Sequence, residues 1–190
     1  LNAAGAADRT ASARGLLAMN HEALLDLFLH PNGPTVVGGV RTVQDEVVKE
    51  INAHGVSIVE VARPNGSLAH QVVVDSPFNR RITAESPMEL RGPVRGSRFV
   101  VTRFSTNGQT ARGTVNNCAH GYTPWGTYLT CEENWAGYFT RSATDAANRS
   151  AADNATLASY GISAAGTPGR HRWGTLVVAD AADTRFRRWD

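Results

Sequence analysis

The sequence predicts a mainly β fold of antiparallel strands, with one or two short helices in the connections. Short runs of apolar and β-branched residues recur along the chain, and turn-forming stretches such as residues 64–67 and 107–108 separate them. The clearest helical periodicity covers residues 42–53. Many short strands with few helices are typical of a propeller or a sandwich, and the pattern alone does not choose between the two.

The best hairpin prediction lies in the first half of the chain. Residues 56–61 are rich in valine and isoleucine, residues 64–67 form a turn, and residues 68–74 are predicted as the return strand. Other apolar runs have the length of strands. These further strands are predicted at residues 15–19, 98–104, 127–131 and 176–179.

The main helix is predicted from Thr42, a good N-cap residue, with Asp45 at capping-box spacing. Val47 and Ile51 then fall on one face, and Gly55 provides a natural stop. A shorter helix is predicted over residues 23–29, before a turn rich in proline. Residues 116–126 are predicted as a polar loop, and residues 140–170 as a surface insertion rich in Ala, Ser, Asn and Gly.

Composition limits the classes of function. The chain has 190 residues, 42% hydrophobic and 19% charged, so one domain with a core is expected rather than disorder. A net charge of +2 gives no basis for a nucleic-acid partner. No apolar run approaches the roughly 20 residues that a membrane-spanning helix needs.

The most informative stretch, residues 116–134, combines a thiol, an imidazole and two adjacent carboxylates. Carboxylates suit calcium and ferric iron, whereas a thiolate suits iron or zinc, so this set could hold a mixed metal cluster. The alternative is a loop and an edge strand with a core cysteine. Side chains alternate along a strand, so Glu132 and Glu133 cannot both face solvent, and one of them needs a partner.

Several segments in this region resemble the signature of the PhoX-type alkaline phosphatases. They are NCA at 117–119, TPWGT at 123–127 and TCEEN at 130–134. Three earlier segments resemble further family elements in the same order: AMNHE at 18–22, with Met19 where the family has valine, HGVSIVE at 54–60 and NRRIT at 79–83. The family often has glycine where His120 stands. The resemblance covers about residues 13–139.

The resemblance implies a secreted or periplasmic enzyme that hydrolyses phosphate monoesters with an iron–calcium cluster at the centre of a six-bladed β-propeller. A chain of 190 residues cannot supply six blades. We therefore expect residues 1–190 to be a partial propeller domain, truncated at both ends relative to the family. The rest of the propeller chain is the expected partner, and the isolated piece is expected to be inactive.

The resemblance also implies a set of metal ligands. Cys118 would be the thiolate ligand of iron, Glu22 would bind calcium or iron, and Glu132 or Glu133 would add a further carboxylate. These side chains should therefore converge, and Cys118 should not form a disulfide with Cys131, which is expected to be a buried core residue.

Two arginines and two histidines are weaker candidates. Arg80 and Arg81 could contact the substrate phosphate, with structural ion pairs as the alternative. His21 and His120 are expected to be hydrogen-bonded scaffold. Two other functions remain open: a calcium-dependent, lactonase-like propeller, which has no need of Cys118, and a propeller interaction module without catalysis.

Overall fold

The computed structural model describes residues 1, 6–102 and 104–175. Its strands are short and antiparallel, as the mainly β prediction requires. The strands are β1 (Arg14–His21), β2 (Val36–Val37), β3 (Val40–Arg41), β4 (Gly55–Ala62), β5 (Gln71–Val72), β6 (Arg80–Ile82), β7 (Ser86–Glu89), β8 (Thr110–Gly113), β9 (Asn117–Tyr122) and β10 (Tyr128–Glu132). The α-helices are α1 (Asp26–Leu29), α2 (Gln44–Ala53) and α3 (Ala151–Ser159), and 3-10 turns lie at Arg98–Val100, Trp135–Tyr138, Asp145–Asn148 and Trp173–Thr175.

Strand β4 is the centre of the largest sheet. It pairs with β1 along all eight residues of each strand, and with β5 and β6 on its other side. Its β-branched residues explain this position, because Val56 and Ile58 are buried on one face of the sheet. The predicted hairpin is confirmed, although its return strand is limited to Gln71–Val72.

A buried carboxylate fixes the loop after β4 against the sheet. Glu60 is 1% exposed, and its side chain accepts hydrogen bonds from Arg14 and Ser76. Its main-chain N–H donates to Oδ1 of Asn79 at 2.8 Å. These partners offset the cost of removing a carboxylate from water, so the central strand tolerates a charged residue at an inward position.

Helix α2 occupies most of the predicted segment but starts differently. It begins at Gln44, with Val43 in the cap position and no side-chain cap hydrogen bond, so the capping role predicted for Thr42 is wrong. Asp45 and Glu46 instead place negative charge in the first turn, where the helix dipole favours it.

The other end of α2 depends on Arg81 and Gly55. The guanidinium of Arg81 donates to the main-chain carbonyls of residues 52–54, which the helix itself leaves without partners. Gly55 has a φ of 111°, and a Cβ at this position would lie 2.0 Å from the carbonyl oxygen of Ile82. Only glycine fits here, so the predicted stop is confirmed.

The main core lies against α2. Val47, Tyr138 and Trp173 are buried together, with Val47 fully buried. Beside this core, the buried Glu50 accepts hydrogen bonds from the two terminal nitrogens of the Arg41 guanidinium and from the indole N–H of Trp173. This network joins α2 to the C-terminal part of the described chain.

The structure corrects two strand and loop predictions. Residues 98–104 were expected to be a strand, but residues 98–100 form a 3-10 turn and Thr102 makes only an isolated bridge to Ser105. Apolar residues alone do not make a strand without a partner ladder. Residues 116–126 were expected to be a loop, yet β9 lies within them and pairs with β10. Most of its side chains are exposed, so it lacks the apolar alternation that would have revealed it.

The predicted surface insertion, residues 140–170, is in fact packed. Helix α3 lies within it, capped reciprocally by Ser150 and Asp153, and buries Leu157 against Ala136 and Ile162. The predicted strand at residues 176–179 lies outside the described residues. None of the helices in the described part of the chain is long and apolar enough to cross a membrane.

Candidate metal centre

Three residues from separate strands meet at one end of the β1 and β9–β10 ladders. Glu22 directly follows β1, Cys118 is the second residue of β9, and Glu133 directly follows β10. One ligand atom from each, a thiol sulfur and two carboxylate oxygens, lies within 4.8 Å of the others, and all three residues are exposed. The side chains expected to converge therefore do so.

The structure also separates the two adjacent glutamates. The ladder between β9 and β10 shifts register between Thr130 and Glu132. The carboxylate of Glu132 accepts hydrogen bonds from the hydroxyl of Thr114 at 2.7 Å and from the main-chain N–H of Val115 at 2.9 Å. Glu132 thus finds its partner in the preceding loop, while Glu133 faces Cys118. The strand alternation alone could not assign these roles.

The side chain of Asn20 links the end of β1 to the β9–β10 hairpin through hydrogen bonds. Its amide nitrogen donates to the carbonyl of Cys118 at 2.9 Å, across 98 residues of sequence. Its amide oxygen accepts hydrogen bonds from the hydroxyls of Tyr128 and Thr130 at 2.9 and 3.0 Å. This role was not predicted from the sequence. The available signal was an asparagine at the end of an apolar strand, immediately before His21 and Glu22.

Two further asparagines lie beneath the three ligand candidates. Asn116 is 1% exposed, and its amide nitrogen donates to the carbonyl of Glu22 at 2.9 Å and to the hydroxyl of Tyr138 at 3.0 Å. The main-chain carbonyl of Asn116 accepts a hydrogen bond from the main-chain N–H of Glu133 at 2.9 Å. Asn117 is fully buried and donates to the hydroxyls of Thr114 and Thr130.

The chemistry of the three donors fits a bound cation. Hydrogen bonding first to Glu133 and then to Glu22 raises the pKa of the Cys118 thiol to about 12. Within residues 1, 6–102 and 104–175, no arginine, lysine or histidine forms an ion pair with either carboxylate. Two neighbouring carboxylates without a positive partner repel each other, and a metal ion would relieve that repulsion.

Comparison with known proteins identifies the family. Residues 4–188 match the family model described as alkaline phosphatase PhoX. The chain belongs to the PhoX family. A solved structure of Pseudomonas fluorescens PhoX in complex with vanadate, a transition state analogue, superposes with a TM-score of 0.75 at 34% sequence identity. No curated protein sequence matches the chain.

The match covers 93% of this chain but only 28% of the Pseudomonas PhoX chain, so this chain spans less than a third of that relative. The PhoX resemblance seen in the sequence is confirmed. The structural match is consistent with the predicted fold, a mainly β chain that forms part of a propeller.

The two arginines of the NRRIT segment make contacts with main-chain carbonyls. Arg81 donates to residues 52–54 at the end of α2, and Arg80 donates to the carbonyl of Phe78 at 3.0 Å. Neither forms an ion pair within the described residues, so the expected alternative of a salt bridge is not seen there. Arg80 remains exposed.

Of the remaining candidates, His21 is hydrogen-bonded as expected, whereas no hydrogen bond to the side chain of His120 is seen within the described residues. His21 hydrogen-bonds to Ser57 at 2.8 Å, and burial lowers its pKa, with a smaller effect from the charge of Arg81. His120 is exposed and stacks on Tyr128. The cysteines are not bonded to each other, as predicted. Cys131, however, is exposed rather than buried, because it lies on a two-stranded ladder and not within a core.

Proposed function

We propose that the protein containing this chain hydrolyses phosphate monoesters, and that Glu22, Cys118 and Glu133 hold part of its metal cluster. The convergence of these three residues from separate strands is the observation that supports the site most directly. Membership of the PhoX family and the likeness to a PhoX bound to a transition state analogue support the reaction. A core cysteine with unrelated surface carboxylates would give no such convergence.

The donor set favours iron together with calcium. A thiolate at Cys118 suits iron, and the carboxylates of Glu22 and Glu133 suit calcium or iron. When bound, the cations supply charge neutralisation and Lewis acidity to the phosphate monoester. Cys118 would release the proton on Sγ when it binds a cation, and the two carboxylates would balance part of the cation charge. Glu132 stabilises the adjacent loop.

The other parts of the proposal rest on the family. Residues 1–190 would form part of the propeller domain, and the remaining ligands would come from the rest of the chain. Of the two arginines, Arg80 is the better candidate for contact with the substrate phosphate, because the guanidinium of Arg81 already satisfies the end of α2. A periplasmic or secreted location follows from the family resemblance.

The two cysteines offer a matched test in the full-length protein. Cys118→Ser should lower bound iron and the hydrolysis of p-nitrophenyl phosphate by at least about 10-fold, since a metal ligand is lost. Cys131→Ser changes a second exposed thiol, which lies outside the ligand group, and should retain both bound iron and activity. Metal analysis and steady-state kinetics provide the measurements.

Full activity in Cys118→Ser would contradict the assigned site. Calcium without iron in the purified wild-type protein would favour a lactonase-like enzyme, and the lack of any metal would favour an interaction module.

A further inference from the structure

One buried residue, Asn116, links the backbones that carry the three ligand candidates. Asn116 lies two residues before Cys118, and its amide nitrogen reaches the carbonyl of Glu22, 94 residues away in the sequence. The main-chain carbonyl of Asn116 accepts the main-chain N–H of Glu133 at 2.9 Å. A single residue thus contacts the main chain at both carboxylate positions and precedes the thiol in the same segment.

The orientation of this side chain is fixed by its partners. The carbonyl of Glu22 can only accept a hydrogen bond, so the amide nitrogen of Asn116 must face it. The second proton of the same amide points to the hydroxyl of Tyr138 at 3.0 Å. Tyr138 is 3% exposed and belongs to the core with Val47 and Trp173. The contact with Glu22 is therefore anchored to the core that packs against α2.

The backbone of Asn116 is specialised as well. Its φ is 50°, in the left-handed region that asparagine and glycine enter more easily than other residues. This conformation accompanies the turn into β9 and leaves the Asn116 carbonyl in contact with Glu133. Asparagine suits both requirements here, since glycine would permit the turn but would lack the amide.

We propose that Asn116 is a positioning residue for the metal centre: it holds Glu22 and Glu133 in register with Cys118. This inference rests on the proposed function, because the geometry matters only if a cation binds there. Asn116 acts through the residues it holds. Glu22 and Glu133 lie just beyond the ends of their strands, where the ladder hydrogen bonds no longer fix them. Without the bridge, carboxylates of like charge would separate, and a cation would have to bring them together again.

The test uses Asn116→Gly in the full-length protein. Glycine keeps the left-handed backbone and the carbonyl that binds Glu133, so the change removes only the bridge to Glu22 and Tyr138. After metal removal, calcium binding is measured by calorimetry. We expect affinity to fall about 10- to 100-fold, the usual effect of losing a residue that orients a metal ligand.

Asn79→Gly is the matched control. The Asn79 side chain also makes several hydrogen bonds, accepting one from the N–H of Glu60 and donating to the carbonyls of Val73 and Val74, but it has no contact with the ligand group. We expect this variant to melt at a lower temperature while binding calcium like the wild type. A loss of affinity as large as that of Asn116→Gly would show a general effect of instability and overturn the proposal.

Tyr138→Phe provides a second, milder variant, in case Asn116→Gly does not fold. It removes the anchoring hydroxyl and leaves the bond to Glu22, so calcium binding should weaken by less than in Asn116→Gly. Wild-type affinity in the folded variants would overturn the positioning role. If Cys118→Ser loses its metal while Asn116→Gly and Tyr138→Phe do not, only that role fails. If the wild type binds neither calcium nor iron, the proposed function fails and the positioning role fails with it.

Discussion

The β1–β4 pair and the β9–β10 hairpin are both antiparallel ladders, but different interactions hold them in place. Strand β4 buries valine and isoleucine, pairs on both sides and compensates its one inward carboxylate. The hairpin is mostly exposed. The side chains of Asn20 and Asn116 connect it to β1 and Glu22, and Asn117 connects it to Thr114 in the preceding loop. The apolar ladder provides the scaffold and ends at Glu22. The polar hairpin carries the other two candidate ligands, Cys118 and Glu133, and individual side-chain hydrogen bonds hold it in place.

The largest expected effect comes from breaking the scaffold at Gly55. Gly55→Ala forces a Cβ against the carbonyl of Ile82 at a φ of 111°, so we expect a loss of about 3 kcal/mol or more in the free energy of unfolding. Chemical denaturation followed by circular dichroism measures this loss. Gly15→Ala makes the same change in the paired strand, where no atom of the described residues lies within 4 Å of the new Cβ, and should cost far less. Equal losses in both variants would contradict this account.

A smaller and more local effect is expected from separating the two regions at Asn20. Asn20→Ala removes the hydrogen bonds to the Cys118 carbonyl and to two hydroxyls on β10, while β1 keeps its ladder with β4. We expect calcium affinity to fall by about 10-fold, with only a modest change in melting temperature. Asn79→Ala should show the reverse pattern. If Asn20→Ala lowers the melting temperature without changing calcium affinity, the link to β9 serves stability alone.

The smallest expected effect is a loss of stability at acidic pH through the carboxylate of Asp145, which lies outside both ladders. Burial alone would raise the pKa of Asp145, but hydrogen bonds and charge from Arg149 and Arg141 outweigh it, so the pKa lies below the ordinary value of 3.8. The ionised form therefore adds stability above about pH 4, and this contribution is lost as the pH falls through the lowered pKa. Unfolding measured from pH 7 down to 3 should be less pH-dependent in Asp145→Asn than in the wild type. Identical slopes would rule out this contribution.

The sequence predicted the scaffold well because its signals are local. The β-branched run in β4, the periodicity of α2 and the stop at Gly55 each follow from residues that are neighbours in the chain. The predictions that were wrong concern elements whose structure depends on residues distant in the chain. A strand at residues 98–104 would need a partner ladder, which composition does not reveal, and β9 escaped notice because an exposed polar edge has no apolar alternation.

The candidate ligands were among the residues singled out from the sequence, but the asparagines that hold them in place were not. Family resemblance pointed to Cys118 and Glu22, and the choice of Glu133 over Glu132 required the irregular register of β10. Asn20 and Asn116 were missed because their contacts cross 98 and 94 residues and leave no spacing that a sequence pattern could show. Side-chain amides that join distant segments become visible only in three dimensions.

The distance along the chain between Glu22 and its two companions has a consequence for the order of assembly. Cys118 and Glu133 can meet as soon as the local β9–β10 hairpin closes, because short loops close quickly. Glu22 can join them only after a long-range encounter between β1 and this hairpin, which comes later in folding since a longer loop must close. Before that encounter, at most two of the three donors can lie close together. A cation would bind tightly only after that encounter, so metal loading should report the docking of β1 against the hairpin.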